Sequence, residues 1–294
     1  MLKSRRQILL ILVLSFLLSA CADSKTAPKT ADNHIPQIAL QDTFFVEQGF
    51  YQAIDHSQNI KAENNIRAVI VPHHLLASSF ISDTLKKASS DEIDKVIIIG
   101  PNHENVGDEA IATALADWQT PWGTLPSDPD LVNQFRQDLE VSDNIDVFTN
   151  EHSIGAQVPF VKYFFPKSKM LAIALSSYAG RQAADDLSAW LSKNIDKSTL
   201  VIFSIDFSHY LTKDSADQMD LITKELIIER DINKILKLGN DNTDSPASVA
   251  TALLLADKLD LKTEILQQGN SFDFLLNKPE STTSYFAISF SSQE

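Results

Sequence analysis

The chain has 294 residues, 44% of them hydrophobic and 22% charged, enough to bury one large core or two small ones. That balance, with few glycines, describes a globular protein and excludes a disordered or fibrous one. A formal net charge of −14 supplies no basic stripe and argues against nucleic-acid binding.

The first twenty residues have the three-part build of a secretory signal. Lys3, Arg5 and Arg6 form a positive start, and Ile8 to Leu18 is an almost unbroken apolar run. That run is too short to span a bilayer comfortably. It ends in Leu18-Ser19-Ala20-Cys21, which resembles a bacterial lipobox, and Cys21 is the only cysteine of the chain. The expectation is a lipidated Cys21, held to a membrane by apolar burial rather than by a spanning helix. Ala22 follows, with no Asp there. By resemblance to known bacterial lipoproteins, that favours the outer membrane, facing the periplasm. Residues 21–43 are polar with scattered Ala, Pro and Thr and read as a flexible tether. Residues 44–294 then read as one domain, without disulfide or thiolate ligand.

The domain alternates apolar runs with amphipathic stretches. Ile66–Val71 reads as a buried strand, Leu76–Ser89 as a helix and Lys95–Gly100 as a second strand. Helix over Asp128–Glu140, strand over Met170–Leu175, helix over Arg181–Asn194 and strand over Thr199–Ile205 follow. Ala216–Leu238 reads as one long helix and Ser245–Leu259 as another. Strands over Leu261–Gln267 and Ser284–Ser291 close the chain. This order predicts an α/β fold, a mainly parallel central sheet with helices on both faces.

Three of the seven histidines fall just beyond predicted strand ends: His73 in VPHHLL, His103 in GPNH and His209 in DFSHY. In open α/β sheets that edge is where ligands bind. Imidazole is a common ligand for zinc, iron and copper, so convergent histidines point to a metal with an open coordination position. Each alone also reads as an ordinary hydrogen-bonded loop residue. Adjacent side chains on an extended segment point in opposite directions, so His73 and His74 are not expected to face one place. Glu151-His152 is a further candidate pair, with a carboxylate to orient an imidazole or accept a proton; it also reads as a plain helix start. Asp206, three residues before His209, suits a metal ligand, an orienter of His209 or a cap.

Taken in order, VPHHLL, GPNHENVG, TPWG, EHSIGAQVPF, SIDFSHY and TTSYFA resemble the motifs of the Memo family, whose bacterial members are called AmmeMemoRadiSam system protein B. The resemblance runs from about residue 49 to residue 290. It implies a fold similar to the LigB-type class III extradiol dioxygenases, which hold iron(II) with two histidines and a carboxylate. It places metal ligation on His73 and His103, and assigns Asp206 and His209 to the family's Ser-x-Asp-x-x-His motif. His74 is then expected to pack or cap nearby.

Animal members supply a cysteine ligand from a Thr-x-Cys-Gly segment, where this chain has Thr243-Asp244-Ser245-Pro246. A serine hydroxyl is a far poorer ligand than a thiolate. Asp244 could offer a hard oxygen instead, completing a set that suits iron(II), with copper and zinc left open. The same segment also reads as a helix start with Asp or Ser capping. The expected function is that of a lipid-anchored metal-dependent oxidoreductase, dioxygenase-like, with His209, His152, Glu151 and Asp206 moving or holding protons. The alternatives are a metal- or ligand-binding module without turnover, or a scaffold partner of a radical-SAM system. The partner is an unidentified small molecule or protein.

Overall fold

Four segments with almost no polar residue form the middle of the sheet: Ile66–Val71, Lys95–Asn102, Lys169–Ser176 and Thr199–Ser204. A strand apolar on both faces is stable only when both faces are covered. The computed structural model describes residues 38–41 and 44–293. The expected signal segment, Cys21 and the polar stretch to residue 37 lie outside the described residues.

In chain order the strands are β1 Ile38–Gln41, β2 Ile66–Val71, β3 Lys95–Asn102, β4 Ile111–Thr113, β5 Ala116–Thr120, β6 Gly123–Leu125, β7 Lys169–Ser176, β8 Thr199–Ser204, β9 His209–Leu211, β10 Leu261–Asn270 and β11 Thr282–Ser292. The helices are α1 Glu47–Ser57, α2 Ser78–Lys87, α3 Pro129–Leu139, α4 His152–Gly155, α5 Val158–Phe164, α6 Arg181–Asn194, α7 Lys213–Glu229, α8 Ile232–Ile235, α9 Pro246–Lys258 and α10 Ser271–Phe274.

The main sheet runs β10-β11-β2-β8-β3-β7-β4, with β9 attached to β11. Its four central strands are mutually parallel, as the alternation of strand and helix requires. Both flanks are antiparallel, β4 on one side and β11 with β10 on the other. Alternate residues of the central strands enter two cores. Ile70, Ile99, Ile173 and Phe203 join one with α3, α6, α7 and α9. Val69, Ile98, Ala172 and Ile202 join the other with α1, α2 and α5. Strand β10 is an edge, blunted by Lys262, Glu264 and a register shift between Ile265 and Gln267.

Two sequence expectations change. The expected tether contains β1, which pairs in parallel with β5 through Ile38 and Ala116, so folded structure begins before residue 44. The long helix expected over Ala216–Leu238 is broken. Arg230 adopts a left-handed conformation (φ 55°) that ends α7. Its guanidinium bonds Asp257 at the end of α9, and also the Leu261 carbonyl and Thr263 Oγ1, both at 2.9 Å. These tertiary bonds outweigh the helix propensity of the run. Asp231 then caps α8 by accepting from the Lys234 N–H.

Helix α4 sits close against β3. Ser153 Oγ donates to the Pro101 carbonyl at 2.9 Å, and a Cβ on Gly100 would lie 2.5 Å from Ser153 Oγ and 2.8 Å from its Cβ. Gly100→Ala should therefore destabilise the fold by about 1–3 kcal/mol, read as a lower urea midpoint at unchanged m-value. An unchanged midpoint would contradict this packing.

Candidate metal centre

Parallel strands place all their C-terminal ends on one sheet edge. The order β2-β8-β3 therefore sets His73, Asp206 and His103 side by side there. They line a cavity of about 770 Å³ with His152, His209 and Asp244.

Asp206 folds the chain after β2. Its Oδ1 accepts from the His73 and His74 backbone N–H groups at 3.0 and 3.4 Å. Its Oδ2 lies 3.6 Å from His73 Nε2. It thus acts on the first histidine loop, and no hydrogen bond ties it to His209. The His73 side chain is 1% exposed, with Nδ1 3.4 Å from Ser204 Oγ and Nε2 turned to the carboxylates. Gln157 braces the same corner. Its amide donates to the Pro72 carbonyl at 2.7 Å and to Ser204 Oγ at 3.0 Å.

Glu151 fixes the second histidine. It caps α4 by accepting from the Ser153 N–H, so the plain helix start is real. The same 3%-exposed side chain also takes the His103 backbone N–H at 2.8 Å and faces His103 Nδ1 at 2.7 Å. With Nδ1 committed to Glu151, Nε2 is the nitrogen His103 offers the cavity. His152 stacks on His103 with ring centroids 4.1 Å apart, and His73 meets both rings edge-on at 5.2 and 5.1 Å.

Asp244 closes the site. Residues Phe207 and Thr243 form an antiparallel bridge, and the Asp206 N–H donates to Asp244 Oδ2 at 3.2 Å. That oxygen lies 3.2 Å from His73 Nε2 and 3.8 Å from His103 Nε2. Oδ1 is buried and has no hydrogen-bond partner among the described residues. Ser245 holds the N-cap position of α9 without a side-chain cap bond, and its hydroxyl is used on Ser248 Oγ at 2.6 Å. Of the two residues at the family's cysteine segment, Asp244 is therefore the one that faces the histidines.

The electrostatics follow from this crowding. Burial pushes the His103 imidazole down, but Asp244 and Glu151 more than reverse it, raising its pKa to about 10. His73 is likewise pushed down by burial and raised on balance by Asp206 and Asp244. His152, desolvated and beside two cationic rings, is lowered to about 4 and stays neutral. Burial opposes the Asp244 charge, yet His73 and His103 hold its carboxyl well below the usual range.

Two sets of side chains can hold an ion, with ligand atoms within 4.8 Å of one another: His73, His103 and His152, and His73, Asp206 and Asp244. They share His73, whose Nε2 faces both carboxylates, and one nitrogen cannot serve two ions. The sets are two sides of a single site. Asp244 Oδ2 faces the imidazole nitrogens, and its buried Oδ1 has no hydrogen-bond partner among the described residues; such a carboxylate fits a divalent cation.

His209 belongs to neither set. It lines the cavity, its backbone N–H donates to the Asn240 carbonyl at 2.9 Å, and its buried Nδ1 has no partner among the described residues. The third strand-edge histidine is thus displaced from the cluster by His152, which arrives from α4. His74 also reaches the cavity wall, bonded through Nδ1 to the Tyr285 hydroxyl. Alternation along the chain sends it away from His73 but not out of the cavity. Gln157 and Tyr285 lie within the motifs EHSIGAQVPF and TTSYFA but carry no individual role in the sequence reading, because neither type signals chemistry by itself.

The family model described as Memo-like protein matches residues 46–286. A MEMO1 family protein of Sulfurisphaera tokodaii is 28% identical over 242 residues, covering 78% of this chain and 84% of that protein. Another, from Saccharolobus solfataricus, is 32% identical over 213 residues, covering 70% and 75%. Among solved structures, the uncharacterized protein JW3007 from Escherichia coli K12 aligns with a TM-score of 0.49 at 9% identity, over 76% of this chain and 99% of that one. The family model and the relatives together suffice: this chain is a member of the Memo-like protein family.

Proposed function

We propose that this chain is a lipid-anchored, metal-dependent oxidoreductase of the cell envelope, dioxygenase-like in its ligand set, with His73, His103 and Asp244 holding a divalent ion. The observation that carries the reading is the approach of Asp244 Oδ2 to both Nε2 atoms, 3.2 and 3.8 Å. Two imidazoles and one carboxylate suit iron(II), and zinc or copper is accommodated by the same donors. A bound ion would supply Lewis acidity and activate water or dioxygen.

The chain's own groups would do the rest. Glu151 orients His103 and keeps its Nε2 toward the cavity. Asp206 fixes the His73 loop. His152 is neutral near pH 7 and can accept a proton. His209 offers a second imidazole, whose Nδ1 has no partner among the described residues. Phe44, Phe45 and Leu75 add apolar lining to the cavity, with the Phe44 ring centroid 5.9 Å from that of His152, and would exclude water from that part of a small ligand's surface.

The anchor rests on the sequence of residues 1–21. Metabolic labelling with a palmitate analogue should mark the parent chain and not Cys21→Ser, and equal labelling of both would contradict lipidation at Cys21.

Zinc affinity measured by calorimetry on untagged protein tests the ligand set. His73→Ala, His103→Ala and Asp244→Asn should each weaken binding by about 100-fold or more, and Ser245→Ala should leave it unchanged. Tight binding that survives all three substitutions would sink the assignment. Stoichiometric metal with no oxidation of any phenolic or catecholic substrate would favour a binding module.

Affinity should also depend on pH. The metal-free His103 keeps its proton up to about pH 10, and a ligating imidazole must be neutral. Binding near neutrality therefore expels protons, so affinity rises with pH by about tenfold per unit for each proton released. Calorimetry in buffers of different ionisation enthalpy reads that release directly; affinity constant between about pH 6 and 8 would show that these imidazoles are not the ligands.

A further inference from the structure

Strand β9 carries a residue for which its ladder has no place. Leu211 lies opposite Thr282 and His209 opposite Thr283, so three residues of β9 face two of β11. Tyr210 is the extra residue of a β-bulge. It adopts a left-handed conformation, φ 60°, which glycine fills at least cost. Tyr210 is also 80% exposed. A tyrosine here gains little from packing and is unfavourable for the backbone. Such a residue points to a use of its side chain outside the fold.

Hydrogen bonds hold the bulge on both flanks. The His209 N–H donates to the Asn240 carbonyl at 2.9 Å, and Thr282 Oγ1 donates to the Leu211 carbonyl at 3.0 Å. Just before them, the Phe207 N–H donates to the Ser284 carbonyl and the Ser284 N–H to the Ser208 carbonyl, both at 2.9 Å. The Ser208 hydroxyl lies 3.0 Å from Asp220 Oδ1 on α7 and 2.8 Å from Ser284 Oγ, and all three residues are buried. The tyrosine is thus carried on a fixed backbone. Bulges beside functional sites re-aim side chains in this way.

Tyr210 lines the cavity of the candidate metal centre together with His209, Asn240 and Thr283. Its ring is 5.7 Å from that of His209 and tilted by 46°, so that imidazole is not stacked on its face. Phe44 and Phe45 line the same cavity, which gives it aromatic surface from two separate segments. We infer that Tyr210 is a specificity-determining residue of this cavity, a stacking face for a planar aromatic ring of the bound ligand. Offset stacking favours a flat ring over a saturated chain of similar size. The ring contact stands on the bulge and the cavity; that the same ligand places an oxygen on the ion rests on the metal reading.

Three measurements test this. Tyr210→Gly suits the left-handed backbone and should leave the urea midpoint at or above that of the parent; a lower midpoint would make the ring a structural element and overturn the inference. In zinc-loaded protein, acetohydroxamate and benzohydroxamate offer the ion the same two oxygens and differ in the aromatic ring. Tyr210→Gly should bind benzohydroxamate about fivefold more weakly than the parent and acetohydroxamate equally well, while Tyr210→Phe should keep the parent's preference. Unchanged benzohydroxamate affinity in Tyr210→Gly, or an equal loss for both probes, would overturn the inference. In metal-free protein, phenol at millimolar concentration should shift the Tyr210 ring signals in 1H–13C spectra, assigned as those missing from Tyr210→Phe, and cyclohexanol should not. Equal shifts with both, or none with phenol, would again overturn it. A parent protein that takes up no zinc would contradict the metal reading alone, and the phenol titration would then decide the role of Tyr210.

Discussion

Burying the Asp244 carboxylate beside His73 and His103 removes three ionisable groups from water, and such a cluster is stable only if the charges are closely matched. In the metal-free chain the match comes from protons on His73 and His103, whose pKa values are raised by the neighbouring carboxylates. A divalent cation bound there would supply the same positive charge and displace those protons, so pH would set which occupant prevails.

The supports of this cluster all lie one step behind it. Asp206 shapes the turn after β2, Glu151 clamps His103 from the start of α4, and Gln157 ties α5 to the ends of β2 and β8. Each is nearly or fully buried, so its geometry is fixed by packing rather than by solvent. The close approach of α4 to Gly100 makes this possible, since any side chain there would push Ser153, and Glu151 with it, away from β3. Fold stability and site geometry are thus coupled at one glycine.

Much of the central sheet was legible because β2, β3, β7 and β8 are apolar on both faces, a pattern that only a covered parallel strand explains. The histidines after β2 and β3 were legible for the same reason, since a strand-end rule places them on one edge. The short elements were not: β4, β5, β6 and β9 are three to five residues long, too short for periodicity to declare itself. The break at Arg230 depends on partners in α9 and β10 that no local window contains. Likewise, Glu151 is both a helix cap and a histidine clamp, and a sequence reading treats these as alternatives. His152 could not be placed in the cluster from sequence, because its position is set by how α4 docks on β3.

Asp244, whose Oδ2 approaches the Nε2 atoms of both His73 and His103, carries the proposed ligand set. The most direct test is a crystal of the full domain soaked in zinc, with anomalous difference maps recorded on both sides of the zinc edge. The account predicts one strong peak within coordination distance of His73 Nε2, His103 Nε2 and an Asp244 oxygen, about 2.0–2.2 Å from each. A peak on Ser245 without Asp244, or no peak in this cavity, would contradict it.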